Sequence, residues 1–270
     1  MAVSKSPRPG FLLGGFTEPA YAHMRKYVLM GQPTLTRREF AIGCSAGLAG
    51  RAIAASPHFI GIEINHVALR VSDLTRTEDF LREQLGSPGI IFEKPGQRYL
   101  RVGRNFTALF EKDPAGLDHF AISVEGYVAD EVEQQCRALG LETRRSSDFV
   151  YVHGPDGIEV QIAHPEHEVH SPVVREPPKN SQHKGDGIVG VALRVTDVAR
   201  ASSFYSSHFG LQVEDENEQQ ARLKLGDNFL ELVKADRPGL EFIRYSAVSG
   251  PTGEPDVLSS PDGIRMQVVG

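Results

Sequence analysis

The sequence predicts an α+β fold of two tandem domains, each assembled from repeated βαβββ units, with the second copy truncated. Two repeats and an element order predict it. The stretch INHVALRVSDL beginning at Ile64 returns as IVGVALRVTDV at Ile188, and GLDHFAISV from Gly116 returns as GLEFIRYSA from Gly239. Within each copy, an alternating apolar and polar run precedes a helical stretch, and short extended runs separated by turn residues follow.

The elements follow in order. A strand over 62–71 ends in Ser72-Asp73, an N-cap signal for a helix over 74–85. Strands over 90–93, 99–102 and 106–111 are separated by Lys94-Pro95-Gly96 and Gly103-Arg104-Asn105. A second pass gives a strand over 118–124, a helix over 128–139 ended by Gly140, and strands over 142–145, 149–153 and 158–163. Two such units make the domain at 60–164. Residues 165–186 are rich in Pro, His and charge without periodicity, so they predict an exposed linker, with His164, His167, His170 and His183 solvated rather than ligating. The second domain, 187–270, repeats a strand over 188–195, a helix over 198–209 and strands over 212–217, 219–225 and 229–234. No helical pattern matching 128–139 occurs between Ala247 and Ser260, so its sheet is expected to be incomplete.

At 270 residues the chain is long enough for two domains, each burying its own core. A net charge of −6 without a lysine-rich block excludes a nucleic-acid backbone as partner and points to small molecules. Cys44 and Cys136 are the only cysteines, which excludes a disulfide scaffold.

Residues 1–54 resemble a twin-arginine signal peptide. Thr36-Arg37-Arg38-Glu39-Phe40 precedes a weakly apolar run over 41–50, then Arg51 and Ala52-Ile53-Ala54. The apolar run falls far below the roughly 20 residues that cross a bilayer. Cleavage after Ala54 would release a soluble protein to the periplasm or exterior, with no membrane association afterwards; Met30 is an alternative start. A disordered N-terminal extension on a cytoplasmic protein is the other reading.

The histidines separate the two copies. His66 becomes Gly190, and His119 becomes Phe242, so a chemical site is expected in the first copy alone. INHVALRVSDL, LDHFAIS and the GPDGI and SPDGI turns together resemble the vicinal oxygen chelate superfamily, which includes glyoxalase I, extradiol dioxygenases, fosfomycin-resistance transferases and bleomycin-sequestering proteins. The resemblance is fuller over 60–164 than over 187–270. It implies half-open mixed-sheet barrels and, in metal-dependent members, a divalent ion such as Fe, Mn or Zn. His66 and His119 match the first two ligand positions. The third, usually Glu four residues after the Gly of the Asp-Gly turn, falls here on Gln161.

Strand alternation puts Glu159 on the same face as Gln161, so Glu159 either ligates, acts as a base beside the ion, or stands at the cavity mouth without a role. Tyr151 and His153 share the preceding strand's cavity face. Tyr151, followed by Gly154-Pro155-Asp156-Gly157, partly matches the dioxygenase signature, which implies that it orients a substrate oxygen. Two functions remain open at this stage: a metal-dependent enzyme on a small vicinal-oxygen substrate, by ring cleavage, isomerisation or group addition, and a metal-free sequestering protein of the bleomycin-resistance type. A third option, compatible with either, is that the second domain is a structural partner that caps the first and replaces homodimerisation; a homodimer is the alternative arrangement.

Overall fold

The computed structural model describes residues 56–86, 89–167, 171–176, 178–248 and 250–270. The leader, with Cys44, and His170 lie outside the described residues. The first half places β1 (Gly61–Val71), α1 (Leu74–Leu85), β2 (Gly89–Lys94), β3 (Gln97–Val102) and β4 (Asn105–Glu111) before β5 (Gly116–Val124), α2 (Ala129–Ala138), β6 (Thr143–Ser146), β7 (Phe149–His153) and β8 (Glu159–Ala163). These strands form one eight-stranded mixed sheet in the order β2-β3-β4-β1-β5-β8-β7-β6. The second half runs β9 (Gly185–Val195), α3 (Val198–Phe209), β10 (Gln212–Glu216), β11 (Gln220–Leu225), β12 (Asn228–Lys234), β13 (Gly239–Ala247), β14 (Asp256–Ser259) and β15 (Arg265–Val269). Its seven-stranded sheet has the order β10-β11-β12-β9-β13-β15-β14. The helix and first short strand of its second unit are missing, as the Gly- and Pro-rich stretch before Ser260 predicts.

The repeat is physical as well as textual. Helix α1 buries Leu74, Thr77, Glu78, Leu81 and Leu85, and α3 buries Val198, Ala201, Ser202, Tyr205 and Phe209, at identical spacing along one helical face. Asp73 and Asp197 cap them by accepting the N–H of Arg76 and Arg200, each at 2.9 Å. The two halves nevertheless do not bury separate cores. One apolar cluster runs from Val67, Leu69 and Phe120 through Tyr205 and Phe209 to Val191, Leu193 and Tyr245. The reason is that the β1 and β9 faces opposite the histidine positions are both apolar, and each covers the other.

Polar clasps lock this junction with twofold-like symmetry. Asn105 accepts the Ile188 N–H at 3.0 Å and donates to the Ile64 carbonyl at 2.9 Å, while Asn228 accepts the Ile64 N–H at 2.9 Å and donates to the Ile188 carbonyl at 2.7 Å. The aspartates of the two Pro-Asp-Gly turns also cross over. Asp156 accepts the N–H and hydroxyl of Thr196, and Asp262 accepts those of Ser72. Asp262 also accepts the hydroxyl of buried Thr77 at 3.1 Å, so Asp262→Ala is expected to cost about 1–3 kcal/mol by denaturant unfolding. A loss above that range would mean that the clasp holds more than its own hydrogen bonds.

The segment after β8 is largely exposed, as expected of a linker, but it is tied to the body at Arg175, His183 and His167. Arg175 forms a β-bridge with Ile90, closing part of the free edge of β2. Its guanidinium joins that of Arg98 on Glu78, a carboxylate 3 % exposed that requires cations to be buried at all. His183 is buried, with Nε2 3.3 Å from Asp256, and His167 packs on aromatic rings of the first half. Unpaired edge groups and a buried carboxylate draw the segment inward, and neither leaves a periodic trace in its sequence. Among the described residues no helix is long and apolar enough to cross a membrane.

Candidate metal centre

The centre of the first sheet is built from two neighbouring rows of residues. In one, His66 of β1 pairs with Ala121 of β5, Ala121 with Gln161 of β8, and Gln161 with Tyr151 of β7. In the next, Ala68 pairs with His119, His119 with Glu159, and Glu159 with His153. Cross-strand partners project from the same face, so all the sequence-expected site residues share one concave surface. Ala68, Ala108 and Ala121 alternate with them and leave the floor open for two imidazoles.

Both imidazoles are fixed. His66, 2 % exposed, stacks on Phe106 at 4.2 Å with a 19° interplanar angle, and its Nδ1 lies 2.8 Å from Asn65 Oδ1. His119, 4 % exposed, has Nδ1 2.8 Å from Asp118 Oδ1. An ionised carboxylate only accepts, which places the His119 proton on Nδ1; His66 has acceptors in both Asn65 Oδ1 and Gln161, so its proton can sit on either nitrogen. The Nε2 atoms of the two rings face each other, 3.3 Å apart. When neither Nε2 carries a proton, the two nitrogens converge as acceptors that a cation can share. Ring N–H groups tied to oxygen are also how proteins orient ligating histidines. The donor set fits a divalent ion.

Electrostatics agree with that fit. The His66 pKa is held well below 6.5, by burial first and then by the neighbouring rings of His119 and His167, against an opposing hydrogen bond from Gln161. Asp118 is held below its ordinary value chiefly by its hydrogen bond to His119, despite burial. Because His66 resists protonation in the folded state, the unfolded chain binds more protons as pH falls below about 6.5, and folding stability should decline there. Urea unfolding of metal-stripped protein between pH 7 and 5 checks this, and His66→Ala should flatten the decline.

The third position is weaker. Gln161, 2 % exposed, hydrogen-bonds His66, while its Nε2 has no partner among the described residues. Its amide oxygen is thus turned to the nitrogen edge where an ion would sit. Asp118, His119 and Glu159 also offer ligand atoms within 4.8 Å of one another. In that trio, however, Asp118 already accepts the Nδ1 proton, and Glu159 is held by a two-pronged Arg144 contact at 2.9 and 2.7 Å. We place the ion locus on the Nε2 side for that reason.

Tyr151 lies edge-on to His119 at 5.2 Å under the Arg144 guanidinium, 3.8 Å from its ring centroid. Burial raises its pKa, against Arg144, so it stays a hydrogen-bond donor at neutral pH. His153 stands at the row's outer end, 3.9 Å from Glu159. Arg144 and His167 were not anticipated as part of this site. The His167 ring centroid is 5.7 Å from that of His66 and 4.9 Å from that of Phe149. Arg144 sits opposite Tyr151 on an edge strand and was legible in principle from β6–β7 pairing; His167 follows the last strand and carries no such signal.

The second sheet has no counterpart site among the described residues. Gly190 and Phe242 replace the imidazoles, and Arg244 reaches Glu231 at 2.8 Å and Gln267 at 3.0 Å, with Arg222 on the same Glu231. An ion-pair network fills that concave face. A cleft of about 460 Å³ by the start of α3 lies in this half, away from the imidazoles.

The paired βαβββ units and two open mixed sheets define the vicinal oxygen chelate fold. Residues 187–263 match the family model described as "Glyoxalase/Bleomycin resistance protein/Dioxygenase superfamily". The match falls on the half that lacks counterparts of His66 and His119, whereas the resemblance in motifs was fuller over 60–164. Among solved structures, a mutant of homoprotocatechuate 2,3-dioxygenase from Brevibacterium fuscum is similar at 16 % identity and TM-score 0.65, covering 80 % of this chain and 73 % of that one. The anaerobic complex of that enzyme with 3,4-dihydroxyphenylacetate is similar at 16 % identity and TM-score 0.61, covering 79 % and 82 %. A room-temperature structure of an extradiol ring-cleaving dioxygenase from B. fuscum, at 16 % identity and TM-score 0.65, covers 80 % and 73 %. No curated protein matches the chain.

Proposed function

We propose that the protein is a metal-dependent enzyme acting on a small substrate that presents two adjacent oxygens. The observation that carries the reading is the pair of Nε2 atoms converging to 3.3 Å on two buried rings whose Nδ1 atoms are tied to oxygens. His66 and His119 would hold a divalent ion, with Gln161 as a neutral third ligand. A bound divalent ion would polarise substrate oxygens and stabilise negative charge developing on them. Asp118 and Asn65 keep the rings aimed. Tyr151, kept protonated by burial, donates a hydrogen bond to a substrate oxygen, and Arg144 fixes both Tyr151 and Glu159. Phe106 and the alanine floor give the substrate an apolar wall that excludes water.

Ring cleavage of a catechol with O2 is the reaction we place first, since the solved structures above that share the fold are ring-cleaving enzymes. Oxygen uptake by the Fe(II)-loaded protein against a catechol panel tests it. Uptake abolished in His66→Ala supports the reading, and none across the panel rejects ring cleavage. The neutral Gln161 and the engagement of Glu159 by Arg144 favour one other reading, a metal-free sequestering protein. Saturable ligand binding unaffected by chelation would establish that reading instead. We further propose that residues 1–54 direct export by the twin-arginine route. Arg37→Lys with Arg38→Lys should then retain the precursor in the cytoplasm, and unchanged export would refute the route.

A further inference from the structure

The junction of the two halves holds a second chemical feature, a cavity of about 280 Å³. Arg70 and Leu117 enter it from the first half, and Arg194, Leu240, Glu241 and Arg265 from the second. Arg70 and Arg194 occupy equivalent repeat positions near the ends of β1 and β9. The cavity's two carboxylates are already committed. Glu241 pairs with Arg265 and lies 3.8 Å from Arg194, while Asp262 accepts from Ser72 and Thr77.

Arg70 is different. Among the described residues it forms no ion pair, and its buried Nε has no hydrogen-bond partner; Arg194 Nε shares that second property. Asp118 feels the Arg70 charge at a distance but is bonded to His119. Three guanidiniums therefore meet two engaged carboxylates at the cavity, and Asp118, the further carboxylate that feels Arg70, is bonded elsewhere, which leaves Arg70 with an unpartnered N–H beside open space. A guanidinium so placed is costly to keep unpaired, and its planar fork matches a carboxylate.

We propose that Arg70 anchors a binding site for the carboxylate of a small organic acid, whose apolar body rests against Leu117 and Leu240. A single guanidinium fork with engaged carboxylates around it favours a monocarboxylate over phosphate. The Arg70 Cα is about 13 Å along the strand from that of His66 and about 7 Å from that of Ala68, the cross-strand partner of His119, so the site adjoins the imidazole pair without sharing its residues.

Calorimetric titration of the folded protein in EDTA, at constant ionic strength, tests the assignment with benzoate as probe and benzamide and inorganic phosphate as comparisons. Saturable benzoate binding is expected, weakened at least about tenfold by Arg70→Gln and less by Arg70→Lys, with benzamide binding at least about tenfold weaker than benzoate. Arg70→Gln should leave the thermal midpoint of the acid-free protein unchanged or higher, which a purely structural arginine would not. The proposal fails if benzoate does not saturate, if Arg70→Gln binds it as well as the native chain, or if benzamide or phosphate binds equally tightly. Should Arg70→Gln not fold, the benzoate, benzamide and phosphate comparison on the native chain decides alone.

Discussion

Replacing either His66 or His119 with alanine is expected to weaken divalent-ion binding by more than about 100-fold, beyond the 10–100-fold typical of losing a group that only orients a ligand. Each ring supplies one Nε2 to a locus 3.3 Å across. Asp118→Ala should fall within that lower range, because it frees the Nδ1 proton of His119 without removing the ring. Gln161→Ala should cost less than either histidine, since a neutral amide contributes little charge to the ion. Competition with a chromophoric chelator gives all four affinities on one scale. Equal affinity in the native chain and both histidine variants would remove the metal site.

The second large effect lies away from the site. Asn228→Ala is expected to destabilise the protein by about 2–6 kcal/mol, because it strands the Ile64 N–H and the Ile188 carbonyl in the buried junction, at about 1–3 kcal/mol for each unsatisfied group. Asn105→Ala should do the same to the Ile64 carbonyl and the Ile188 N–H. The four bonds form one closed ring, so the double variant should cost less than the sum of the singles. Urea unfolding of the three variants measures this, and strict additivity would show that the two amides act independently.

How much of this was legible in the sequence depends on the range of the interactions involved. The 64-to-188 and 116-to-239 repeats placed both sheets, because local periodicity decides strands and helices, and a duplicated pattern yields a duplicated fold. The loss of His66 and His119 counterparts at Gly190 and Phe242 located the candidate centre in one half for the same reason. Strand alternation put Glu159 with Gln161 on one face, and the register across β5, β8 and β7 agrees. Pairing of β6 with β7 puts Arg144 on the Tyr151 face, but alternation could not say that it would engage Glu159, since that depends on the reach of the side chain across the strands. The shared core was equally hidden. The apolar faces of β1 and β9 are each consistent with a private core, and only their mutual packing decides otherwise. The Pro-Asp-Gly turns were visible as motifs, but their aspartates serve the opposite half, a role that no single repeat can encode. His167 and Arg175 were missed because they are held by unmet needs elsewhere, an aromatic surface and a buried Glu78, rather than by any pattern of their own.

X-ray absorption at the edge of the ion retained by the purified, folded protein tests the central claim most directly. The account predicts a first shell containing two imidazole nitrogens at about 2.0–2.2 Å, with the ion lost together with both from the His66→Ala, His119→Ala double variant. An ion coordinated by oxygens alone, or retained unchanged in that double variant, would contradict it.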